Sequence, residues 1–172
     1  MANKQALREL QSRLAERLQA ARTQVRGRSW LAVECGERGF LLPLGDAGEI
    51  FALAPIVAVP HTHRWFLGVA NLRGHLNGVV DLAEFLGVKV MGAGREQSRL
   101  VGFNPALDIN CTLLVDHLAG LRNDDELELE PEDGSARPAF AGGRFRDAGG
   151  RVWQELNLAE LAGDEAFLRI VD

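Results

Sequence analysis

The sequence predicts a mainly β protein, two small barrels in tandem behind an N-terminal helix. Three observations lead there. Past Arg28, apolar residues run in short alternating stretches broken by glycine-bearing turns, the signature of half-buried strands. No long helices alternate with these stretches, which disfavours βαβ units. A strand followed by a short capped helix also occurs twice, in GVVDLAEFLG and in WQELNLAELAG, and reads as a repeat.

The 172 residues are 47 % hydrophobic, enough for a real core, and carry a net charge of −5. That sign argues against a nucleic-acid platform and against general affinity for anionic membranes. The first residues lack the apolar region of a secretory signal, and no apolar run approaches the ~20 residues that span a bilayer. Cys35 and Cys111 show no CxxC spacing. They read as small buried residues of a reducing compartment, with no disulfide expected.

Residues 4–25 read as a helix, within an N-terminal segment 1–27. Leu7, Leu10, Leu14, Leu18, Ala21 and Val25 form one stripe at spacings of three and four. The stripe is expected to pack on the protein's own body, three turns of leucine being short for a coiled coil; a docking or dimerising helix is the alternative. Residues 28–172 hold the barrels, one over roughly 28–90 and the other over roughly 91–172. SWLAVEC and FLLPL form a hairpin about the turn GERG, and GEIFALAPIVAVP adds short extended pieces. Thr62 is expected to cap a short helix through HRWFL, stopped by Gly68. Gly74 suits a turn, and LNGVVDL runs as a strand into Asp81.

Asp81 and Asn157 are N-caps in the two repeat tails. Glu84 and Glu160 sit three residues on, where a capping box places an acid, and Gly87 and Gly163 stand where the helices should stop. A second echo joins FLLPLGDAGEI to CTLLVDHLAGL. VMGAGREQSR links the halves. NDDELELEPEDGSARP reads as an exposed acidic loop with one strand at ELELE, and DEAFLRIVD extends the last helix.

Catalytic patterns are scarce. There is no G-x-S-x-G elbow, no GxxxxGK[ST] and no tyrosine. Glu34 and Glu37 beside Cys35 would raise its pKa and not activate it. His61 and His63, with His75 further on, could begin a metal or ligand site, but no further ligands stand at a telling spacing. Turn and surface histidines are the simpler reading, and neither metal nor cofactor is expected. An enzyme is a poor reading of this chain.

WFLGVANLRG…GVVDLAEFLG resembles the central motif of the CheW-like family of chemotaxis adaptor proteins, approximately G-V-x-N-L-R-G-x-x-x-P-V-x-D-L. Gly68, Val69, Asn71, Leu72, Arg73, Gly74, Val79, Asp81 and Leu82 match it. GERGFLLPLGDAGEI resembles the family's first hairpin and a strand ending in Glu49, and LLVDHLAGL the opening of its second half. The resemblance covers roughly residues 28–163. The tryptophan-led motif and the leading helix are most similar to the adaptors of type IV pilus (twitching motility) signalling. Gly78 stands where the family has proline, expected to loosen a turn, and Ala47 where a larger apolar residue is common.

The resemblance implies two packed, five-stranded SH3-like barrels with short edge helices. It also implies a non-enzymatic adaptor in the cytoplasm, recruited to membrane-bound receptor arrays without inserting in the membrane. Its partners would be the regulatory domain of a CheA-like histidine kinase and the cytoplasmic hairpin tip of a chemoreceptor. Arg73 would lie at the receptor groove near Glu49, either orienting it or serving as an ordinary structural ion pair. Ala47 and Leu121 would add apolar contacts. Gly68, Asn71, Leu72, Gly74, Asp81 and Asn157 are read as structural members of the motif.

Overall fold

The computed structural model describes residues 8–17, 27–88 and 95–172. The strands are β1 (Ser29–Cys35), β2 (Arg38–Pro43), β3 (Ala47–Ala52), β4 (Phe66–Leu72), β5 (His75–Asp81), β6 (Arg99–Phe103), β7 (Cys111–Val115), β8 (His117–Asn123), β9 (Leu127–Leu129), β10 (Ala141–Asp147) and β11 (Val152–Leu156). Helix α1 covers residues 8–17. Three short helices follow: α2 (Leu82–Phe85), α3 (Leu158–Ala162) and α4 (Glu165–Leu168).

One sheet has the order β8-β1-β2-β11-β10-β9 and the other β3-β6-β7-β5-β4. The two orders match strand for strand, and so do the pairing senses. β1–β2 corresponds to β6–β7, both antiparallel. The parallel pair β2–β11 corresponds to β7–β5. The antiparallel hairpin β10–β11 corresponds to β4–β5. The fold is therefore mainly β, two similar modules consistent with SH3-like barrels; β9 gives one of them six strands where five were expected.

The two sequence halves, however, are not the two modules. β1 and β2 belong with β8–β11, and β6 and β7 belong with β3–β5. The expected division of the barrels near residue 90 is corrected accordingly: each half gives its leading hairpin to one sheet and its later strands to the other. The crossings lie in FLLPLGDAGEI and CTLLVDHLAGL, where the chain leaves β2 for β3 and β7 for β8. Those segments echo one another because they make the same crossing in opposite modules.

The core follows from this exchange. Strand residues alternate between faces, so a strand of β1 or β7 type buries one face inside its own module and the other against the second module. Trp30, Ala32, Leu41, Leu127, Phe145 and Trp153 fill the interior of the six-stranded module. Ala70, Leu72, Val79, Leu100 and Leu114 fill the five-stranded one. A larger cluster drawn from both sheets, including Leu31, Val33, Phe40, Val101, Leu113 and Leu156, lies between them. All five residues of β7 are buried as a result.

Both caps form. The Asp81 side chain accepts from the Glu84 N–H at 3.2 Å, and that of Asn157 from the Glu160 N–H at 3.1 Å. Gly87 ends α2 at φ +66°, while Gly163 ends α3 without leaving the right-handed region. The last helix is not extended; α4 starts afresh on its own cap, Asp164. The predicted strand in ELELE is β9.

Three local expectations are corrected. No helix follows Thr62, whose hydroxyl donates instead to the Val59 carbonyl at 2.9 Å. Gly68 stops nothing: it sits inside β4 at φ +136°, where a Cβ would lie 2.1 Å from the Val57 carbonyl oxygen. The Val57 strand segment crosses so closely, with N–H···O bonds of 2.8 and 2.9 Å to Val69, that only glycine fits. Gly78 likewise lies in no turn. It pairs with Val69 and Cys111 in mid-β5, and its N–H donates to the Asn110 carbonyl at 3.0 Å, a bond proline could not make. The leucine stripe is corrected too: Leu10 and Leu14 are 58 % and 53 % exposed, so α1 does not bury them on the body. The other stripe residues, and the GAG of the linker, lie outside the described residues.

Candidate functional site

The β4–β5 hairpin turns on two residues, with Leu72 and His75 paired across it. Arg73 and Gly74 both take positive φ, +50° and +80°. That is the primed turn whose twist suits a tight hairpin. Glycine adopts it freely, whereas an arginine there is strained. Asn71 pins the turn by accepting the Gly74 N–H at 2.9 Å. Leu72 anchors it, buried in the module interior.

So held, the Arg73 guanidinium lies 2.6 Å from the Glu49 carboxylate on edge strand β3. The side chains are 75 % and 43 % exposed, respectively. A pair this wet contributes little to stability. The planar guanidinium keeps donors to spare for another acceptor. Beside the pair runs a cleft of about 370 Å³ walled by Phe51, Leu72, His75, Phe103, Ile109 and Thr112. The lining mixes apolar side chains with His75, Asn77 and Thr112, and the ion pair stands beside it.

Of the four groove candidates, Arg73 and Glu49 are brought together. Ala47 begins the same strand but turns toward the shared core, opposite Phe103. Leu121 lies on β8, the edge of the other sheet, and is 57 % exposed. Neither lines the cleft. Leu121 pairs with Leu31 as Ile50 pairs with Val101, so these two half-exposed apolar residues hold equivalent places in the two modules. Sequence reasoning missed Phe51, His75 and Phe103 as cleft residues; the hairpin register, which sets His75 beside the turn, was the available signal.

Chemistry elsewhere is quiet. Burial pushes the Cys35 thiol up to about 12, with the Asp116 charge adding to it, and burial does the same for Cys111. Glu34 contributes to the Cys35 shift as expected but ranks last, and burial dominates. His61 lies on a loop at φ +59°, His63 stacks on Trp65 with centroids 5.4 Å apart, and His75 lines the cleft. Among the described residues, no group of three or more His, Cys, Asp or Glu side chains could hold a metal. No described helix is long and apolar enough to cross a membrane.

Two matched β modules, each holding the leading hairpin of the other sequence half, define the fold class of this chain. The CheW-like domain family matches residues 29–166, and the chain belongs to that family. Proteins of the family are non-enzymatic scaffolds, and this chain is one of chemotaxis- or pilus-type signalling. Protein PilI of Pseudomonas aeruginosa is 28 % identical over 162 residues, spanning 92 % of this chain and 88 % of that one. Chemotaxis protein CheW of Rhizobium meliloti is 28 % identical over 113 residues, 61 % of this chain and 66 % of its own. Among solved structures, scaffolding protein TtCheW of Thermoanaerobacter tengcongensis shares the fold at a TM-score of 0.60 and 20 % identity, covering 76 % of this chain and 88 % of that one.

Proposed function

We propose that this chain couples a chemoreceptor to a CheA-like histidine kinase in type IV pilus signalling. It does so in the cytoplasm, by holding the receptor's hairpin tip and the kinase's regulatory domain at once. The similarity to PilI along nearly the whole chain supports the pilus assignment. The observation that carries the receptor contact is the Arg73–Glu49 pair, held beside a part-apolar cleft by a turn that costs backbone strain. Strain kept for an exposed ion pair of little stabilising value points to recognition. Each contact can be modest, because a receptor array presents many copies and raises effective concentration.

The test separates recognition from structure. Arg73→Asn relieves the positive-φ strain and removes the guanidinium, since asparagine tolerates this turn position. The variant should melt no lower than the parent, yet bind a receptor cytoplasmic fragment about tenfold more weakly by calorimetry, a loss of ~1.4 kcal/mol. Unchanged binding would return the pair to a structural role.

A further inference from the structure

A second cavity, of about 490 Å³, opens on the opposite business of the fold: the seam where α2 of one module meets β2, β10 and β11 of the other. Its interior is aromatic and aliphatic. Phe85 and Phe140 lie with ring centroids 6.0 Å apart, and Phe40 and Leu156 belong to the shared core behind them. Its mouth is cationic. Phe40 pairs with Gln154, and Gln154 with Arg144, so the three side chains share one sheet face. Arg38, two residues before Phe40, joins that face. Arg137 also lines the cavity.

The charges do not cancel. Asp133 accepts from Arg137 at 3.1 Å and lies in an ion pair with Arg144 at 2.9 Å, engaging part of each fork. Asp164, also on the lining, is committed as the cap of α4, taking the Phe167 N–H at 3.0 Å. Among the described residues, Arg38 has no side-chain hydrogen bond or ion pair. Three guanidinium groups against two occupied carboxylates leave the mouth positive in a chain of net charge −5.

We propose that this pocket binds a small amphiphilic carboxylate, with an aromatic body against Phe85 and Phe140 and its anionic head on Arg38 and Arg144. Volume and lining suit such a ligand: pockets of a few hundred Å³, mostly apolar with a few convergent polar groups, are where small molecules bind. A guanidinium fork matches a carboxylate bidentately. Because the walls come from both modules, an occupant ties the seam together from outside the shared core. This site is separate from the Arg73 cleft and stands whether or not the receptor reading does.

The test is a titration of the full chain with 4-phenylbutyrate to about 10 mM, followed by amide correlation NMR. Saturable shifts should appear at Phe85, Leu86, Phe140 and Ala141. Arg38→Gln, a surface change, should weaken binding about tenfold, as should replacing the ligand by the neutral 4-phenylbutyramide. Shifts that never saturate, shifts scattered over the surface, or an amide that binds as well as the acid would overturn the proposal. If Arg38→Gln disturbs the unliganded spectrum, the acid–amide comparison decides alone.

Discussion

Gly68 and Gly74 occur six residues apart in one motif, yet they do different work. At Gly68 a Cβ would meet the Val57 carbonyl at 2.1 Å, whereas at Gly74 nothing lies within 4 Å. Gly68→Ala is therefore expected to cost about 3 kcal/mol, from strain and clash together. Gly74→Asn should cost only a few tenths, since asparagine accepts positive φ. Chemical denaturation of both variants checks the contrast; equal losses would contradict it. Asp81 offers a second test. Burial raises its carboxyl above the usual value, opposed by the Glu84 N–H bond and reinforced by the Asp116 and Glu84 charges. An acid raised by folding stabilises the fold fully only below its unfolded pKa, and the contribution is lost as pH rises through the folded value. Asp81→Asn keeps the cap acceptor, as Asn157 does naturally in the other repeat, and removes the half-buried charge. Its melting temperature should gain on the parent as pH climbs above about 4, then level off. A constant difference across pH would show that the carboxylate is not destabilised. Asp81→Ala, which loses the cap, should instead cost about 1 kcal/mol.

At the scale of elements, the β1–β2 hairpin, β5 and both capped helices were legible because each has a local cause, whereas β6 and β10 carried no pattern that was read. Alternation marks β1, and an Asx residue three before a glutamate marks α2 and α3. The predicted helix through HRWFL failed for a non-local reason. Its apolar residues match either period over so short a run. What decides is the antiparallel bridge of Val57 to Val69, which no local pattern announces. The leucine stripe failed differently: its spacing shows a helix with an apolar face but not what that face meets. With Leu10 and Leu14 both more than half exposed, Leu10→Lys with Leu14→Lys should leave the melting temperature of the chain within about 1 °C of the parent, a surface-level effect. A drop of several degrees would show that the stripe is buried after all.

At the scale of the molecule, the repeat was readable and its consequence was not. DLAEFLG and NLAELAG announce two alike halves, but the exchange of leading hairpins depends on which sheet each strand joins after a crossing. Likewise the motif made Arg73 and Glu49 legible as partners, while the cleft wall depends on strands from both halves. The exchange makes the two modules one cooperative body, since each is completed by the other's hairpin. A rigid body of this kind can hold two partners at a fixed separation, and that is the work proposed for it. The most direct measurement is sedimentation of the chain mixed with a CheA-like kinase regulatory domain and a receptor cytoplasmic fragment. A three-component species, absent when this chain is omitted, is the predicted result; binary complexes that exclude one another, or no complex at all, would contradict the account.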